Sequence, residues 1–187
     1  MLFALAGLPS LPRVLAEAKS YAERFNYEKI EALSGTIAAD ALTKPAAGEG
    51  VAWQESAVAL LVEESGGYPY FLQQFGQDTW NASTGPAITY TDARVGAAKG
   101  KASLDSGFFR ARWDRATRGE QNYMRAMADD GDTGSSSGEI AARMRRSPAS
   151  LGPSRANLIS KGLIYAPEHG VVAFTVPGMA AFILRQP

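Results

Sequence analysis

The sequence predicts a mainly helical fold with small β elements, and three features lead there. Segments such as Glu55 to Ser65 and Arg118 to Ala128 place apolar residues at helical spacing between polar ones. Runs with β character are short. The stretch Ser136 to Phe174, SSGEIAARMRRSPASLGPSRANLISKGLIYAPEHGVVAF, gives helix, turn, helix and hairpin in order.

From the N-terminus, Leu2 to Ala6 is apolar on both faces, as a strand covered on both sides would be. Gly7, Pro9 and Pro12 turn the chain into a helix from about Arg13 to Phe25, and Tyr27 to Leu33 gives a second short strand. Two strands and one helix cannot bury both sheet faces, so the chain is expected to begin inside a larger α/β core. The apolar start lacks a basic leader and is too short to cross a membrane.

Glu55 to Ser65 presents Val58, Leu61 and Val62 on one face. Glycine closes that helix, and Pro69 suits the first turn of the next, Tyr70 to Trp80. Tyr68, Tyr70, Phe71, Leu72, Phe75 and Trp80 form an aromatic stripe expected to be core. Ile88 to Tyr90 is a short β-like run, and Thr91, Arg94 and Val95 open a helix. Gly96 to Ser103, GAAKGKAS, imitates a phosphate-binding loop, but it is one residue short and Ala102 stands where Ser or Thr is needed; it is expected to be a flexible basic linker. Phe108, Phe109 and Trp113 seat the bridge on the helix Arg118 to Ala128, whose Tyr123, Met124 and Met127 face the core. Asp129 to Ser137 is a Gly, Asp and Ser loop.

Ser136 and Glu139 match a capping box, and Ile140 and Met144 continue the helical period. Ala141 and Ala142 permit a close second helix, and Ser147 and Pro148 end the first. The second helix starts near Ser150, with Leu151, Leu158 and Ile159 on one face, Ser154, Arg155, Asn157 and Lys161 on the other, and Gly162 as its stop. Leu163 to Tyr165 and Val171 to Thr175 flank a turn containing Pro167, Glu168, His169 and Gly170.

This order resembles the winged-helix domains of bacterial and archaeal regulators and initiators over roughly residues 117 to 187. The resemblance implies duplex DNA as partner, with the second helix in the major groove. Arg155 and Asn157 can pair bidentately with guanine and adenine. Ser150, Ser154 and Lys161 accompany them, Arg143, Arg145 and Arg146 end the preceding helix, and His169 sits at the hairpin tip. Winged helices also dock proteins, which leaves a protein partner as the alternative.

The series AGLPSLP, ALSGTIAADALTKPA and GGYPYFLQ, followed by the winged helix, resembles the C-terminal part of AAA+ ATPases, in the branch of archaeal initiator-like and STAND-type proteins. The resemblance implies four segments: a remnant of the α/β core with its first sensor (1–33), a helical lid (34–86), a bridge (87–116) and the winged helix (117–187). Gly67, Tyr68 and Pro69 would then place proline against adenine. The chain departs from the family in having neither phosphate loop nor magnesium-binding acid, and no arginine or lysine between Tyr70 and Trp80 serves as second sensor. It is therefore expected to be a fragment that is no enzyme by itself. ATP and magnesium would belong to the parent, whose missing N-terminal core would be a partner. A signalling or assembly ATPase with a protein-docking winged helix is the alternative.

Net charge is zero, which excludes a polycation, but from Arg110 onward there are 11 basic and 7 acidic residues. With no cysteine and one histidine, thiolate or multi-histidine metal sites are excluded, and no catalytic set is evident. A cytoplasmic location is expected.

Overall fold

The computed structural model describes residues 30–187 continuously, together with residues 7, 11, 15, 17 and 24–28. The expected strand Leu2 to Ala6 and most of the helix from Arg13 lie outside the described residues. What is described is mainly helical with small sheets, in two compact units, one of residues 30–108 and one of residues 109–187 together with the described residues before 30.

The first unit holds α1 (Gly35–Gly48), β1 (Ala52–Trp53), α2 (Glu55–Ser65), α3 (Pro69–Ala82), β2 (Ala87–Ile88) and α4 (Tyr90–Ser103). The helix read at Glu55–Ser65 is present, with Ala57, Val58 and Leu61 buried. It ends at Gly66, whose φ of 56° lies in the left-handed region that glycine enters without penalty. Pro69 opens α3, where its missing N–H costs nothing. Phe71, Leu72 and Phe75 are core as expected, whereas Tyr70 and Trp80 are exposed, so the aromatic stripe is only partly buried.

Three expectations in this unit are corrected. Among the described residues, Tyr27 to Leu33 contains no strand; the Leu33 N–H instead donates to the Gly67 carbonyl at 2.9 Å, and Ile30 is exposed. Residues 96–103 are not a flexible linker but the body of α4, which packs on α3 within this unit instead of bridging onward. The glycines mark close helix approach. A Cβ on Gly96 would overlap the Thr79 backbone and hydroxyl, and one on Gly100 would meet the Phe75 ring. Phe108 joins Tyr70 and Phe71, stacking on Tyr70 with ring centres 5.1 Å apart. The β-like run at Ile88 pairs in parallel with β1, Ala52 to Ala87 and Trp53 to Ile88.

The second unit contains α5 (Arg110–Trp113), α6 (Arg118–Ala128), β3 (Ser135–Ser136), α7 (Ser137–Arg143), α8 (Pro148–Ser160), β4 (Ile164–Tyr165), β5 (Val171–Phe174) and α9 (Met179–Leu184). Its core is built on α6, where Tyr123, Met124 and Met127 are almost wholly buried, as their spacing required. Phe109 stacks on Phe182 of α9, and the Arg125 guanidinium lies over Trp113. The sheet order is β3-β5-β4, all antiparallel. The loop read at Asp129 to Ser137 is thus shorter than expected. Ser135 and Ser136 pair with Val172 and Val171, because the edge of β5 supplies hydrogen bonds that local propensity does not foretell. Asp132 accepts from the N–H groups of Gly178 (2.6 Å) and Ala180 (3.1 Å), capping α9 from a distant part of the chain.

Candidate nucleic-acid interface

The corner between α7 and α8 places most of the residues singled out above. Ser136 accepts the Glu139 N–H at 3.1 Å, but only this half of the capping box forms. Ile140 and Ala141 are buried behind α7.

The helix ends at Arg143, earlier than the sequence implied. The Arg145 N–H donates to the Ala142 carbonyl and the Arg146 N–H to the Ala141 carbonyl, each at 3.0 Å, a Schellman closure. That closure requires a left-handed residue, and Arg145 supplies it with φ of 52°, the only non-glycine with positive φ among the described residues. Arg145 and Arg146 therefore belong to the turn, not to the helix end, and both are exposed. Ser147 then caps α8 and Pro148 opens it, two residues before the expected start. The Ser150 hydroxyl donates back to the Ser147 carbonyl at 2.8 Å.

Two of the expected contact residues are paired with acids of the same unit. Arg143 grips Asp130 with both terminal nitrogens and donates to the Ala126 carbonyl at 2.7 Å. The bond from Arg143 holds the Asp130 carboxyl below its ordinary range. Lys161 donates to Glu120 at 2.6 Å and to the Arg115 carbonyl at 2.9 Å. Glu120 is 3% exposed and also accepts the Thr117 N–H at 2.7 Å, completing the capping box of α6. Burial pushes this carboxyl up, but the bonds from Lys161 and Thr117 outweigh it and leave it lowered. Arg143 and Lys161 are thereby set apart from Arg145 and Arg146, because the charge of each is met by an acid.

The remaining residues are spread along α8 and the β4–β5 turn. Arg155 and Ser154 are half-buried and Asn157 is exposed. Burial pushes the Tyr123 phenol up, and the nearby charge of Arg155 acts against that shift. His169 is exposed in the turn beside Glu168, so the tip carries a carboxylate as well as an imidazole. Among the described residues no ion pair or hydrogen bond involves the side chains of Arg145, Arg146 or Arg155.

In the first unit, Gly67, Tyr68 and Pro69 form the turn between α2 and α3, with the Ser65 hydroxyl accepting the Gly67 N–H at 3.2 Å. A shallow cleft of about 290 Å³ elsewhere on this unit is lined by Leu42, Pro45, Ala46, Trp53, Gln73 and Trp80, and not by that turn. No group of acids and histidines able to hold a metal occurs among the described residues. No helix there is long and apolar enough to cross a membrane.

Sequence reading missed the Glu120–Lys161 pair and the left-handed Arg145. Thr117 and Glu120 carry the capping-box spacing, which would have located the first partner.

Residues 106–183 match a family described as Domain of unknown function (DUF8462). The match spans most of the second unit. No curated protein matches the chain.

Proposed function

We propose that the second unit carries a winged-helix domain, residues 117–187, that binds duplex DNA, and that the first unit carries the lid of an AAA+ type ATPase, read from the sequence as residues 34–86. The observation that carries the first part is the α7–α8 corner, where Arg145 and Arg146 are exposed and unpaired while Arg143 and Lys161 are neutralised. Free guanidinium groups in the turn before a presented helix are suited to phosphate oxygens. The order helix, short strand, two helices and an antiparallel hairpin is the arrangement such a domain uses. The lid reading is supported by the helices α1 to α3 in sequence and by the Gly67, Tyr68, Pro69 turn between α2 and α3. On this reading the chain is not an enzyme alone. ATP and magnesium would be held chiefly by a core that these residues do not supply.

The test is fluorescence anisotropy of a labelled random-sequence duplex with the intact chain and with Arg146→Glu. Binding at roughly micromolar to 100 micromolar protein, the range of non-specific contact at physiological salt, and its loss in the variant, is the expected result. No binding by the wild type would remove DNA and leave a protein partner as the function of the corner.

A further inference from the structure

Resting on the DNA reading above, we infer that this domain holds duplex DNA by its phosphates and does not read base sequence. The first half of α8 is the part that a groove-inserted helix directs at base edges. Its exposed positions are Pro148, Ala149, Ser150, Gly152 and Pro153. Four of these five have no side-chain donor or acceptor, and the Ser150 hydroxyl donates to the Ser147 carbonyl at 2.8 Å. Leu151 is buried, and Ser154 offers a single half-buried hydroxyl, which bonds to any base.

The two side chains capable of bidentate pairing, Arg155 and Asn157, lie in the second half of the helix. Arg155 is half-buried there with its charge near the Tyr123 ring. The exposed charge available to the nucleic acid is instead on Arg145 and Arg146, two cations without an acidic partner among the described residues. At the hairpin tip, the Glu168 carboxylate stands beside His169. Arg145 adds an independent indication. It holds a left-handed position where glycine would be more stable, so the chain bears a conformational cost to keep a guanidinium there.

The experiment titrates the full chain and Arg145→Gly against a random duplex pool and several unrelated single-sequence duplexes of the same length, across salt. Two phosphate contacts predict a log–log salt slope of about −1.8, or an affinity loss of about 12-fold between 50 and 200 mM salt. Removing one contact reduces that loss to about 3.5-fold. Glycine is favoured at this position, so Arg145→Gly is expected to melt no lower than wild type, which separates lost contact from lost fold. Affinities for all duplexes are expected to agree within about fivefold, the least that one good bidentate base contact would impose. A larger spread between sequences, with binding intact, overturns phosphate-only recognition. An unchanged salt slope in Arg145→Gly overturns the role of Arg145. Absence of binding to every duplex at low salt overturns the DNA reading beneath the inference.

Discussion

Lys161→Met tests the joint that holds α8 against α6. Methionine keeps the aliphatic stem of Lys161 and removes the ammonium that donates to Glu120 at 2.6 Å and to the Arg115 carbonyl at 2.9 Å. Glu120 is then left 3% exposed with only Thr117 against its carboxylate. Breaking a fully buried pair from one side costs about 3–5 kcal/mol. Because the Lys161 side chain is 31% exposed, water relieves part of that penalty, and about 2–3 kcal/mol is the expected loss. For a unit of this size that lowers a urea midpoint by about 2 M. The readout is Trp113 emission in a Trp53→Phe, Trp80→Phe background, since Trp113 is buried in the second unit and the other two tryptophans are in the first.

The pH dependence gives a second signature. In the wild type the folded Glu120 pKa is lowered, so its stabilisation is complete above the ordinary value of 4.5 and is lost as pH falls through the folded value. In the variant, burial is opposed only by Thr117, the folded pKa rises, and protonation relieves the cost. The gap between the two proteins should therefore narrow from pH 7 towards pH 5. Glu120→Gln added to Lys161→Met should recover most of the loss. A single variant within about 0.5 kcal/mol of wild type, the range of an ordinary surface substitution, with a gap that does not change with pH, would refute the reasoning.

Other substitutions probe separate joints. Gly96→Ala places a methyl into the Thr79 backbone, and overpacking of this kind costs about 1–3 kcal/mol; a thermal melt at or above wild type would show that α3 and α4 can separate freely. Gly66→Ala meets open space but keeps φ at 56°, so about 1 kcal/mol is expected from conformation alone, measured by urea titration of the first unit. Asp132→Ala removes the cap on α9, with an expected loss of about 1 kcal/mol and faster amide exchange at Gly178 and Ala180. Arg145→Gly should gain about 0.5–1 kcal/mol, and a loss of stability would show that the arginine side chain holds the corner.

The elements that sequence made legible are those whose signals are local. Glu55–Ser65 has its apolar period and its closing glycines within one short segment, and Arg118–Ala128 carries Tyr123, Met124 and Met127 on one face. The pieces that the sequence leaves illegible are fixed by distant partners. Ala52–Trp53 and Ser135–Ser136 are two-residue strands, too short for a period, and exist only because Ala87–Ile88 and Val171–Val172 lie alongside. Gly96 and Gly100 resemble linker residues in isolation, yet their missing side chains admit Thr79 and Phe75. The candidate site was legible as residue types and only partly as geometry. Nothing within a few residues of Lys161 announces that Glu120, 41 positions away, will claim its charge. Nor does an arginine at a helix end announce a left-handed turn, because glycine is the residue that usually marks one.

Amide hydrogen exchange of the full chain, with and without a saturating random-sequence duplex at low salt, locates duplex binding on the chain. Slowed exchange is expected at Met144 to Asn157 and in the Ala166 to Gly170 turn, with α1 to α4 unchanged. Protection confined to α1 to α4, or no difference anywhere despite duplex in excess, would contradict the DNA reading.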